Sequence, residues 1–263
     1  MTATTTARPS SAALLALVTG GSRGLGRSSV RHLAQAGVDV VLTYRSNEAE
    51  ARAAVSEVED AGRRAVALPL DTSTTAGIPA FVDELAHVLP ERFGRDTVDH
   101  LVNNAGTGLH RPLAETTEAE LDELLAIHVR GPLFLTQALL PTIRDGGRIL
   151  FTSTGLTRFT LPGGYGAYAA AKAAVEALAR YFALELGPRG IAVNTIAPGA
   201  VQTDFAGGVV RDDPAVNQAV ASMTAMGRPG LPDDVGAAVA ALLTGGTGWI
   251  TGQRIEISGG QRL

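Results

Sequence analysis

Apolar residues fall along this chain in short runs, each closed by glycine or a small polar residue. Residues 14–18 (Leu-Leu-Ala-Leu-Val) stop at Thr19 and two glycines. A short apolar run without polar alternation reads as a strand buried on both faces. Comparable runs cover residues 38–43, 65–70, 98–103, 147–152, 191–196 and 254–257. Between them, helical spacing appears after the first glycine loop through residue 36. It returns over residues 48–62, 74–89, 118–140, 164–186 and 233–243. Gly62 closes the second helix, and Pro132 is expected to kink the fourth. Strand and helix in alternation predict a doubly wound α/β domain, a parallel sheet with helices on both faces. Residues 204–228 break the rhythm with glycines, charges and scattered apolar positions. They are expected to form a mobile excursion, a substrate lid ending by residue 230. Residues 1–12 are rich in Thr, Ala and Ser and read as a flexible tail, not a signal peptide. Residues 13–263 read as a single domain.

Composition narrows the function. With 263 residues, 45% hydrophobic and 18% charged, the chain has an ordinary globular make-up and can bury a sizeable core. A net charge of −4 without a basic run argues against nucleic acid. No apolar run reaches the ~18–20 residues that cross a bilayer, so no membrane partner is expected. The absence of cysteine excludes disulfides and thiolate metal sites and fits the cytoplasm. His32, His87, His100, His110 and His128 show no ligand spacing, so no metal is expected.

The candidate chemistry lies at strand ends. After the first strand come Gly20, Gly21, Ser22, Arg23, Gly24, Leu25 and Gly26, and then a helix. Strand, glycine turn and helix form the context of a phosphate-binding loop, where backbone N–H groups face a pyrophosphate. The second strand ends in Tyr44, Arg45 and Ser46, with no carboxylate before Glu48. Two guanidinium groups and a hydroxyl suit a 2′-phosphate that a carboxylate would repel, which favours NADP over NAD. A lone Arg45 is also compatible with an ordinary solvated residue. The third strand ends in Asp71-Thr72. The fourth runs into Asn103, Asn104, Ala105 and Gly106, small enough for close approach to a ligand, or an ordinary turn. In Tyr-Gly-Ala-Tyr-Ala-Ala-Ala-Lys, Tyr168 and Lys172 stand four apart on one helical face. An ammonium beside a phenol lowers the phenol pKa toward useful acid/base chemistry. Taken alone, the spacing also fits two unremarkable neighbours.

Together these stretches resemble the short-chain dehydrogenase/reductase family, and within it the 3-oxoacyl-reductase-like branch. The markers are Thr19–Gly26, Asp71, Asn103–Gly106, Tyr168 with Lys172, Asn194, Pro198-Gly199 and Ser258-Gly259-Gly260. The resemblance implies one Rossmann domain with a seven-stranded parallel sheet and an NADP(H)-dependent oxidoreductase acting on a carbonyl or alcohol. It implies that Tyr168 is the general acid in reduction. Lys172 would hold the nicotinamide ribose and lower the tyrosine pKa. Gly20, Ser22, Arg23 and Leu25 would line the pyrophosphate and adenosine ribose. Asp71 and Thr72 would meet the adenine, Asn104 the ribose, and Val201 and Thr203 the carboxamide. A homotetramer or homodimer is implied too.

Two departures from the family pattern stand out. The usual serine about thirteen residues before the tyrosine is Gly155 here. Thr154 is expected to take its place, and Ser153 should point to the opposite face. In the long helix, His128-Val129-Arg130-Gly131 stands where the family often has Asn-x-x-Gly. His128 either binds a relay water and titrates near pH ~6.5, or simply packs. The expected reaction is reduction of a ketone or 3-oxoacyl carbonyl. Leu109, His110, Phe159, Tyr165, Phe205 and Met226 are expected to form an apolar wall. The departures also allow an NADP-binding regulatory or scaffold protein, or a non-redox acid/base enzyme.

Overall fold

The computed structural model describes residues 13–263, so the tail reading for residues 1–12 lies outside the described residues. The strands are β1 (Leu15–Val18), β2 (Asp39–Tyr44), β3 (Ala65–Pro69), β4 (Val98–Asn103), β5 (Ile143–Thr152), β6 (Ala192–Pro198) and β7 (Arg254–Ile257). All neighbours pair parallel, in the order β3-β2-β1-β4-β5-β6-β7. The helices are α1 (Gly24–Gln35), α2 (Glu48–Asp60), α3 (Ile78–Val88), α4 (Glu118–Leu125), α5 (Gly131–Leu139), α6 (Gly166–Leu186), α7 (Val209–Asp212), α8 (Pro214–Ser222) and α9 (Pro232–Thr244). This is the doubly wound α/β architecture that the alternation predicts. Among the described residues, no helix is long and apolar enough to cross a membrane.

The period of two along β1 divides the core. Leu15 and Leu17 face Phe81 and Leu85 of α3, Leu135 and Leu139 of α5, and Val175 and Phe182 of α6. Ala16 and Val18 face Val30 and Leu33 of α1, Ala54 and Val58 of α2, and Val239 and Leu243 of α9. Each fully buried Leu, Val or Phe contributes about 1.5–3 kcal/mol, against about 0–1 kcal/mol for an exposed ion pair. The two apolar layers therefore hold the sheet, and the ion pairs at its rim add little.

Three expectations change. Residues 118–139 stay helical throughout, as expected, but the stretch is not uniformly α-helical. A wide π-helical turn over Ala126–Arg130 separates α4 from α5. Pro132 follows directly on that turn, at the start of α5. The close contact is made by Gly131: a Cβ there would lie 2.1 Å from the Thr72 carbonyl oxygen. Second, residues 204–228 carry helices that the sequence pattern did not reveal. They fold into a turn at Phe205–Gly208 and the helices α7 and α8, and Asp213 caps α8 through Ala215 N and Val216 N. Third, β5 starts at Ile143, four residues early, across a register irregularity opposite Val98 and His100.

The chain leaves β1 toward β2, while β4 lies on the other flank of β1. The loops after β1 and β4 therefore part, and a crevice opens at the carboxyl ends of the strands.

Candidate active site

That crevice is a cavity of about 610 Å³. On one side is the glycine turn. Gly20 and Gly24 adopt φ of 63° and 55°, conformations open to glycine at little cost. A Cβ on Gly26 would lie 2.1 Å from Gly20 O, so the turn closes only with glycine there. No acidic residue occupies the first turn of α1, which leaves its positive end uncompensated by side chains. Thr19 Oγ1 accepts from Asn104 N at 2.9 Å and Ala105 N at 3.0 Å. In return, Asn104 Nδ2 donates to Thr19 O and Gly20 O at 2.9 and 3.3 Å. The β1 and β4 loops thus brace each other. Asn103, the residue before, donates to Thr136 Oγ1 of α5 at 3.0 Å.

Arg23, Arg45 and Ser46 are exposed at one end of the cavity. Among the described residues neither arginine is in an ion pair, so both guanidinium groups remain available to an anion. Asp71 turns back on its own loop and accepts from Ser73 N at 2.8 Å and Ser73 Oγ at 2.7 Å. The Ser73 hydroxyl above all, with the Arg45 charge adding, holds this carboxyl below its usual range.

At the other end α6 presents Tyr168 and Lys172, both buried. Lys172 Nζ donates to Thr152 O at 2.8 Å and lies 5.8 Å from the Tyr168 ring centre. The Thr154 hydroxyl lies close enough to the Tyr168 hydroxyl to favour its ionised form. Burial raises the phenol pKa well above its ordinary 10, and the Thr154 hydroxyl pulls the other way. Burial also lowers Lys172 from 10.5 to about 7. The lowered phenol expected beside the ammonium is therefore corrected: burial is the largest influence on Tyr168 and raises it.

Thr154 and Ser153, just past the end of β5, send their hydroxyls to different partners. Ser153 Oγ donates to Glu176 Oε1 at 2.6 Å, away from the phenol. His128 packs edge-on against Tyr168, ring centres 5.4 Å apart. Its Nε2 donates to Thr107 O at 2.8 Å, because a carbonyl only accepts. Burial, helped by the Lys172 charge, lowers its pKa to about 3, so titration near pH 6.5 is corrected to a neutral ring. That leaves Nδ1 bare, buried and without a hydrogen-bond partner. Gly106 makes room for the ring: a Cβ there would sit 2.8 Å from His128 Cε1.

Every candidate residue except Thr154 lines this one cavity: Gly20, Ser22, Arg23, Gly24, Leu25, Gly26, Arg45, Ser46, Asp71, Thr72, Asn104, Ala105, Gly106, His128, Ser153, Tyr168, Lys172, Pro198, Gly199, Val201 and Thr203. Thr154 reaches it through Tyr168. Of the expected apolar wall, Phe159, Tyr165 and Phe205 line the cavity, while Leu109, His110 and Met226 do not. Leu156 from the loop after Thr154 and Val209 and Val210 from the expected lid segment also line it, and Gln261 lines it without having been foreseen. Gln261 comes from the last three residues of the chain. It is buried, and its Oε1 accepts from Ala200 N at 2.9 Å. No sequence signal marks that return; it follows from left-handed Gly259 and Gly260 after β7.

Comparison with known proteins agrees with this geometry. The family model described as Enoyl-(Acyl carrier protein) reductase matches residues 20–262. The Hydroxynaphthalene reductase-like protein Arp2 of Metarhizium brunneum is 34% identical over 257 residues, covering 94% of each chain. The promiscuous reductase LugOII, which catalyses keto-reduction at C1 during lugdunomycin biosynthesis, superposes with a TM-score of 0.90 at 37% identity, covering 96% of this chain and 99% of its own. The angucycline C-6 ketoreductase LanV, solved with bound NADP, gives 0.89 at 33% identity and 95% of both chains. With the glycine turn, the Tyr168–Lys172 pair and the seven-stranded sheet in place, the chain belongs to the short-chain dehydrogenase/reductase family.

Proposed function

We propose that this chain uses NADPH to reduce a ketone on a fused-ring, polyketide-like substrate to the alcohol. The observation that carries the reading is that Tyr168 and Lys172, with Thr154 beside the phenol, share one cavity with the glycine turn, Arg23 and Arg45. The residues fit the dinucleotide. The N-terminus of α1 and the glycine turn suit a pyrophosphate, and the unspent guanidinium groups with Ser46 suit a 2′-phosphate. Thr72 would meet the adenine, Asn104, Tyr168 and Lys172 the nicotinamide ribose, and Val201 and Thr203 the carboxamide. When bound, NADPH supplies the hydride.

The chain's own groups do the rest. Thr154 Oγ1 donates a hydrogen bond to the substrate oxygen as negative charge grows there. Tyr168 Oη delivers the proton. A phenol raised by burial is fully protonated at neutral pH, the state a reductase needs, and the nascent alkoxide is a stronger base. The reverse oxidation needs the phenolate, so this environment favours reduction. His128 Nδ1 offers a lone pair to a water beside Lys172, in the role the family's asparagine fills. Phe159, Tyr165 and Phe205 line the cavity with flat apolar surface that suits a planar substrate. The relatives named for a hydroxynaphthalene and an angucycline support the same class, in preference to a 3-oxoacyl thioester. Phe205 packs 5.9 Å from the Tyr168 ring and leads into α7 and α8, which supports a lid role for residues 204–230.

Purified chain should oxidise NADPH in step with alcohol formation from fused-ring ketones, faster than with NADH and faster than with 3-oxoacyl thioesters. NADPH binding without turnover across that panel refutes the reading, as does product formed without nicotinamide oxidation. The same reading takes the active form as a cytoplasmic homo-oligomer. Tyr181 and Leu184 on α6 are 67% and 75% exposed, and Trp249 before β7 is 97% exposed, leaving apolar surface for further copies. Light scattering after size exclusion tests this; a monomer at working concentration refutes it.

A further inference from the structure

Beneath the Tyr168–Thr154 pair, four charged side chains alternate in sign from α6 across β7: Glu176, Arg254, Glu256 and Arg158. Arg254 Nε donates to Glu176 Oε1 at 2.9 Å and Nη1 to Glu256 Oε2 at 2.8 Å. Arg158 grips both oxygens of Glu256, at 2.7 and 2.8 Å. The remaining nitrogen of Arg254 goes elsewhere: Nη2 donates to the backbone carbonyl of Thr154 at 3.0 Å. Glu176 Oε1 accepts from Ser153 Oγ and lies 2.7 Å from Thr157 Oγ1, which reaches Thr154 O at 3.0 Å. The Thr154 carbonyl and the hydroxyls of Ser153 and Thr157 are thus all tied to one ion pair. The Glu176 and Arg254 side chains are only 13% and 21% exposed, so solvent screens these bonds weakly. Glu176 stands one turn beyond Lys172 on the same face of α6. The anchor and the catalytic pair therefore share one rigid element.

We infer that Arg254, acting with Glu176, is a positioning residue that fixes the Thr154 peptide against α6 and so aims the Thr154 hydroxyl at Tyr168 and the substrate oxygen. The inference rests on the proposed role of Thr154. Thr154 is extended, with φ −157° and ψ 154°, and as a β-branched residue its hydroxyl direction follows its backbone. A planar guanidinium can hold a carboxylate and a carbonyl at once; an ammonium cannot reproduce that fork.

The test places Arg254→Gln and Arg254→Lys in the full chain, each in the native background and in Thr154→Ala. Turnover of the ketone is read beside NADPH affinity. Either variant should lower kcat about 10- to 100-fold, with NADPH affinity kept within about twofold. In the Thr154→Ala background either should add little further loss, because the group it aims is gone. The lysine variant keeps the charge opposite Glu176, so it answers the question if the glutamine variant does not fold. Equal fold-losses in both backgrounds overturn the positioning role, and so does an unchanged kcat in Arg254→Lys. A fully active Thr154→Ala protein instead removes the reading of Thr154 itself, whatever Arg254 does.

Discussion

Replacing Lys172 with methionine should make the cofactor-free protein more stable while destroying its activity. Lys172 is 4% exposed, and burial lowers its pKa from 10.5 to about 7. The unfolded chain therefore binds more protons than the folded one between those two values, and stability rises with pH across that window. At pH 7 keeping this ammonium out of water costs about 4 kcal/mol, of which about 2 kcal/mol is relieved by pH 9. Methionine has similar length and no charge, though it forfeits the bond to Thr152 O, worth about 1 kcal/mol. Urea unfolding of both proteins should show Lys172→Met ahead by about 2–4 kcal/mol at pH 7. The gap should narrow by about 2 kcal/mol at pH 9. Other perturbed groups stay out of the way: His128 titrates near pH 3 and Tyr168 above its ordinary 10. Parallel pH dependences for the two proteins would refute a suppressed lysine charge in the site.

Tyr168→Phe should lower kcat by about 100- to 10,000-fold and leave NADPH affinity nearly intact; steady-state rates beside a binding titration check this. Arg45→Glu should weaken NADPH binding by about 10- to 100-fold and leave NADH little changed, read from KM for each nucleotide; equal effects on both would place the 2′-phosphate elsewhere. His128→Asn should retain much of the rate, whereas His128→Leu, which removes the lone pair at Nδ1, should lose more. Because His128 is neutral above pH ~4, neither variant should add or remove a titration between pH ~5 and ~9, and pH–rate profiles differing in shape would contradict the buried neutral ring.

The strands were legible because each is a local apolar run closed by glycine or a small polar residue, and the glycine turn because its neighbours supply the context. The nearness of Thr154 to Tyr168 was expected from its place after the fifth strand, but that Ser153 also lines the cavity was not. What failed depended on contacts distant in sequence. The π-helical turn between α4 and α5 lies next to the close approach of Gly131 to Thr72 O, a contact across 59 residues of chain that no window of periodicity contains. The opposite sign of the Tyr168 shift comes from burial by elements that spacing on one helix cannot reveal. Gln261 reaches the site by the return of the chain after β7, and Arg254 reaches it from β7 itself. Glu176 alone carried a hint, one helical turn past Lys172.

The reciprocal bracing of Thr19 and Asn104 has a consequence for redesign. Because each residue holds the other's backbone, the floor of the crevice moves as one piece, and the exposed rim at Arg45 and Ser46 is an interchangeable part mounted on it. Coenzyme preference can then be rewritten at the rim without retuning the chemistry at Tyr168, whereas loosening Thr19 should disturb both together.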